Sequence, residues 1–80
     1  MANYSKIIKS GEIFAPDAMQ RFAFTGPVGT EVRVSINGSD DTESTEDYIT
    51  VATTKDPFNV VDNVIHGMRF CFSEDVTVLY

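Results

Sequence analysis

Alternation of apolar and polar residues with a period of two is the clearest organising signal of the chain. In the run from Thr30 to Ile36, Val32, Val34 and Ile36 share one face while Glu31, Arg33 and Ser35 share the other, as a strand with one buried side requires. Gln20 to Thr25 repeats the scheme with Phe22 and Phe24, and the Gly26-Pro27-Val28-Gly29 insert between the two runs is turn material. The two runs are therefore expected to pair as a hairpin, with Phe22 and Phe24 facing Val32 and Val34 in the core. The carboxyl end suggests a second hairpin: Met68 to Phe72 alternates, Ser73-Glu74-Asp75 turns, and Val76 to Tyr80 is again β-rich. A run that ends on Tyr80 is expected to be held by neighbouring strands or by another subunit.

Between these pairs, Asp47 to Thr53 is rich in β-branched and aromatic residues and predicts a further strand, whereas 38–46 has no apolar residue and predicts an acidic surface loop. Tyr4 to Lys9 and Glu12 to Ala15 each suit a short strand, broken at Ser10-Gly11 and stopped at Pro16-Asp17. Asp56 to Ile65 reads as a strand, a short turn or a connector, because Asn59, Asp62 and Asn63 interrupt its apolar residues. No apolar stripe at helical spacing persists, although single turns at 17–20 or 60–64 fit the pattern. The expectation is an all-β domain, a small antiparallel β-sandwich or partly open barrel of six to seven short strands.

Eighty residues make one domain, 1–80, with a thin core. Small folds are often reinforced by disulfides, a metal or association with other chains. The single Cys71 rules out an internal disulfide and no Cys/His cluster offers zinc, so a homo-oligomer or docking on a larger body is expected. The net charge of −6 argues against nucleic acid as a partner. That charge is uneven: residues 1–39 carry four basic and three acidic groups, residues 40–80 two and nine. One face is therefore expected to be negative, either to steer a basic partner or simply to stay solvated. No segment has the composition of a signal peptide or a membrane span, and folding in a cytoplasm is expected.

Catalytic chemistry finds little support. His66 and Cys71 are five residues apart, an odd spacing that would place them on opposite faces if both lay on one strand, and a structural thiol is the simpler role for Cys71. No catalytic residue, cofactor or transition-metal site is expected, and the protein is expected to be no enzyme. Asp40, Asp41, Glu43, Glu46 and Asp47 crowd one loop and are a weak candidate for calcium, since their spacing misses the calcium-loop pattern. Tyr4, Tyr48 and Tyr80 are the only tyrosines that could serve as sugar platforms, or equally cap the core with the hydroxyl in water.

The pattern Phe22-Ala-Phe-Thr-Gly-Pro-Val-Gly-Thr-Glu-Val-Arg-Val-Ser-Ile-Asn-Gly, then Asp47-Tyr-Ile-Thr-Val-Ala, then Met68-Arg-Phe-Cys-Phe-Ser-Glu-Asp-Val-Thr-Val-Leu-Tyr, resembles small bacteriophage virion proteins of the capsid decoration, cement or head-fibre type. The resemblance covers most of the chain in style and rests on no diagnostic motif. It implies a non-enzymatic protein of the virion, made in the host cytoplasm, that contacts the major capsid protein or another virion protein, commonly as a trimer. On that reading Tyr4, Ile7, Ile8 and Tyr80 would bind the partner, with 1–15 either an extended arm or ordinary edge strands. The alternatives are a small module binding calcium or carbohydrate, and an acidic phage inhibitor of a host protein.

Overall fold

The structure, a computed structural model, describes residues 4–16 and 21–80. Eight strands form two antiparallel four-stranded sheets: β1 (Ser5–Ile8), β2 (Ile13–Phe14), β3 (Phe22–Thr25), β4 (Glu31–Ser35), β5 (Ile49–Thr53), β6 (Phe58–Val61), β7 (Arg69–Phe72) and β8 (Val76–Leu79). The first sheet has the order β1-β8-β3-β6 and the second β2-β7-β4-β5. We call them the terminal sheet and the loop sheet. This order of eight strands in two sheets is that of a jelly roll. The all-β sandwich expected from the alternation is therefore present, with one or two strands more than expected. The single turn expected at 17–20 lies outside the described residues, and that at 60–64 is replaced in part by β6.

Both expected hairpins are corrected. β3 bonds to β6 and β8, and β4 bonds to β5 and β7, so the Gly26 to Thr30 connection carries the chain from one sheet to the other. Likewise β7 and β8 lie in different sheets. Alternation reports which side of a strand is buried, and that side is the same whether the next strand lies alongside or across the core. Sheets stack about 10 Å apart, a gap that a short glycine-containing segment can cross. Gly26 allows close approach here: a Cβ on it would meet Val76 Cγ1 at 2.8 Å. Among the described residues only β4 and β5 are both consecutive and paired, and the acidic loop joins them.

The expected core is present. Phe22, Phe24, Val32, Phe70, Phe72, Val76 and Val78 are buried between the sheets, with Ile8 and Phe14, and Val34 packs against them. Aromatic rings bridge the layers, Phe22 to Phe70 at 5.0 Å and Phe24 to Phe72 at 4.9 Å between centroids. Ile36 departs from its expected place beside Val32 and Val34. β4 ends at Ser35, the chain bends, and Ile36 is 76% exposed.

One end of the sandwich is tied by hydrogen bonds between the inter-sheet connections. Thr30 N donates to Thr54 Oγ1 at 3.0 Å, Thr54 N donates to Thr30 O at 2.9 Å, and both hydroxyls donate to Pro27 O. Both threonines are buried, so these bonds satisfy groups that would otherwise be desolvated without a partner. Nearby, Ser10 N and Lys9 Nζ donate to the Asp75 carboxylate.

Candidate protein-interaction surface

The register of the two sheets fixes what each presents outward. In the terminal sheet, Ile8, Val76, Val78, Phe22 and Phe24 point into the core, so the alternate positions face out. They form two rows across the sheet, Ser5–Leu79–Ala23–Val60 and Ile7–Thr77–Thr25–Phe58. None of these eight residues is charged. Ile7, Phe58 and Val60 are each more than half exposed. Tyr4 and Tyr80 flank the rows and line a shallow depression with Ala23, Phe58 and Leu79. They extend the β1–β8 ladder, with Tyr4 N donating to Tyr80 O and Tyr80 N to Tyr4 O. The Lys9–Asp75 ion pair, at 3.4 Å, lies at the opposite rim.

The loop sheet has the reverse character. Its outward positions include Cys71, Arg33 and Thr50 in one row and Arg69 and Ser35 in the next. The acidic loop lies at the surface, every residue of 38–46 being exposed or half-buried, and it folds back over part of this face. The Arg33 guanidinium donates to the main-chain carbonyls of Thr42, Ser44 and Tyr48. Tyr48 is 2% exposed, its ring lies 5.9 Å from the Arg33 guanidinium carbon, and its hydroxyl donates to Ser39 O at 2.7 Å instead of reaching water. Burial raises the Tyr48 hydroxyl above its ordinary pKa, Cys71 and Asp40 adding to the effect. Burial likewise raises the Cys71 thiol, against a smaller opposing influence from Arg33. Phe70, Cys71 and Phe72 are consequently buried in succession, although successive strand residues point to opposite faces.

The five loop carboxylates do not gather. No group of three or more His, Cys, Asp or Glu among the described residues is placed to hold a metal ion. Asp47 instead accepts from Asn37 Nδ2 at 2.8 Å, and bonds from Asn37 and Ser39 hold its pKa below the ordinary 3.8. Asp41 Oδ1 accepts from Glu43 N. His66 lies in the turn before β7 and Cys71 is buried within β7, so the two do not share a strand.

Of the four residues expected to bind a partner, Ile7 is on the bare face and Tyr4 and Tyr80 border it. Ile8 is corrected to a core residue, 1% exposed, because adjacent strand residues cannot both face out. The amino-terminal run is the edge strand β1 and not a free arm over the described residues. Sequence reasoning missed Phe58 and Val60 as surface residues, since their segment reads as a strand, a short turn or a connector, of which the strand is present. Their i, i+2 spacing is the signal that marks them as one face of a strand.

A second apolar feature lies between the edge strands β5 and β6, where the sheets part. A cleft of about 500 Å³ opens there, lined by Val51, Ala52, Val60 and Val61 and floored by Phe24, Val32 and Phe70. The β4–β5 register slips between Val32 and Arg33, leaving Val51 as an extra residue on β5. Compared with protein-family models, curated proteins and solved structures, the chain matches none of them.

Proposed function

We propose that this domain is a non-enzymatic structural protein that works by protein–protein contact, and that its setting is a phage particle whose capsid it decorates or cements. The observation that carries the contact reading is the pair of uncharged outward rows of the terminal sheet, which no described residue covers, while the chain's own loop covers the β4 and β7 part of the opposite sheet. Apolar residues standing singly on a surface need no explanation, but a contiguous patch across four paired strands marks an interaction surface. The phage setting draws on the resemblance of the strand and turn pattern. It is compatible with a jelly roll, an architecture that viral shells share with lectins and cupins and that does not by itself choose among them.

The test is composition and binding of particles. Mass spectrometry of purified particles of the phage carrying the gene should find the protein at a fixed ratio to the major capsid protein. The purified protein should co-sediment with shells that lack it, and Phe58→Asp should abolish co-sedimentation without unfolding the domain. Absence from particles, or a gene remote from any virion structural gene, overturns the virion reading.

A further inference from the structure

We infer that the partner seated on the terminal sheet is a second copy of this chain, so that the working unit is a two-fold dimer of sandwiches joined face to face. This deepens the contact reading above and rests on it: the face pairs two copies, the shell meets the paired unit, and a substitution that splits the pair therefore also ends shell binding. Three observations single out this occupant.

The first is charge. Two chains of net charge −6 repel wherever their acidic regions meet. The loop with five carboxylates covers the loop sheet, on the far side of the sandwich from the terminal sheet. Stacking two terminal sheets places loop, sheet, sheet, sheet, sheet and loop in succession. At about 10 Å per layer the two loops then stand about 50 Å apart, several times the Debye length of about 8 Å at physiological ionic strength. The contact itself brings together only Ser, Thr and apolar side chains. A dimer through the other face would instead press ten loop carboxylates together.

The second is area. Ile7, Phe58 and Val60, with the half-buried Leu79 and Ala23, make an apolar patch on the order of 400 Å², within the range of the largest patch on a typical monomer. Two such patches, with Thr77 and Thr25 on the central strands between Ile7 and Phe58 and the Lys9–Asp75 pair at the rim, bury on the order of 1,000 Å² together, which reaches the range of specific though weak interfaces.

The third is shape. A single sheet face that is complementary to itself closes at two copies, because the same patch meets its image across a two-fold axis. Sheets pack in this way with strands inclined at about 30°. The two-fold unit therefore replaces the trimer that the resemblance implies.

Sedimentation equilibrium of the full chain, without shells, tests the inference. The expected mass is twice that of one chain, dissociating reversibly on dilution as a weak interface does. Phe58→Asp and Ile7→Asp, each checked for an unchanged circular dichroism spectrum, should each weaken self-association at least about 100-fold. Ile36→Asp, on an exposed apolar residue off this face, should leave it unchanged. Amide resonances that move on dilution should belong to β1, β3, β6 and β8 and not to 38–46. A monomer at 1 mM, a trimer, or a dimer that survives both face substitutions overturns the inference. A monomer whose face substitutions still abolish shell binding removes the dimer and leaves the contact reading intact. A dimer that never meets a shell leaves the inference standing and removes the virion setting.

Discussion

The two sheets of this domain are built from the same alternating strands, yet among the described residues the chain's own loop folds over the β4 and β7 part of one outer face and over none of the other. The difference lies in what each face offers to a passing backbone. The loop sheet presents Arg33 and Arg69 outward, and the Arg33 fork binds three main-chain carbonyls of the loop that joins β4 to β5. A guanidinium, with five donors in a rigid plane, is suited to gathering such acceptors. The terminal sheet presents only Ser, Thr and hydrocarbon. Its two outward rows hold no cation to draw an acidic segment down, Lys9 at the rim being paired with Asp75, and every connection next to them crosses to the other sheet. Cover from within the chain needs both a long loop and a hook. Only the loop sheet has both.

The largest change to this comparison should come from Tyr48→Ala. The ring is almost wholly buried beneath the loop and its hydroxyl holds Ser39 O. Its loss should cost about 3 to 4 kcal/mol, as for other large buried aromatics. In a domain of this size that lowers the melting temperature by roughly 15 °C or more. The same variant should expose Cys71, now buried under the loop, so that a thiol reagent labels it in the folded state. Unchanged labelling with a normal melting curve would show that the loop does not depend on this ring.

Arg33→Ala should come next, costing about 2 kcal/mol, since charge-assisted bonds to three carbonyls are lost together. Arg33→Lys should recover less than half of this, because an ammonium cannot reproduce the fork. Thermal melts of the two variants distinguish lost geometry from lost charge. Equal costs would mean that charge alone retains the loop.

A smaller effect should appear in acid. Asp47 and Asp75 both titrate below the ordinary 3.8, Asp47 through bonds from Asn37 and Ser39, Asp75 through Ser10 N and then Lys9. Carboxyls with depressed folded pKa values contribute stability that is present above 3.8 and is lost as pH falls through the folded value. Amide spectra should therefore hold constant from neutral pH to about 4, then shift below 3.8 at Asn37, Ser39 and Ser10. Asp47→Asn should remove the loop part of this response and leave the Ser10 part. Both groups are exposed, so the effect on global stability is screened and small.

Legibility in the sequence followed the same division. The buried face of each long strand was readable, because a period of two names it directly: Phe22, Phe24, Val32, Val76 and Val78 are core residues. Which strand lies beside which was not readable, since Gly26-Pro27-Val28-Gly29 serves a crossing between sheets as well as it serves a hairpin. The loop was recognised by its lack of apolar residues, but its cover of the loop sheet depends on Arg33 and on Tyr48, and polar character alone suggested solvent. The bare face was half visible. Ile7 and Tyr80 sit in recognisable strands, whereas Phe58 and Val60 belong to a run that Asn59 interrupts. Only the β3–β6 register reveals Asn59 as an inward residue that leaves its two apolar neighbours on one side.

The smallest effect on stability should come from Phe58→Asp, and it is the most informative about the bare face. Phe58 is 53% exposed on an edge strand and makes part of no buried cluster, so replacing it should shift stability by no more than about 0.5 kcal/mol, as for ordinary surface positions. If the ring served the fold, the substitution would cost several times that, as for Tyr48→Ala on the other side. If it serves an interface, the isolated chain should melt almost as before while association fails, because a carboxylate would be desolvated at the centre of an apolar contact. Melting temperature at concentrations well below and well above dimer dissociation separates the cases. The natural chain should gain stability with concentration, as any associating protein does, and the Phe58→Asp chain should not. An equal rise in both would place the contact elsewhere, with the β5–β6 cleft the next surface to examine.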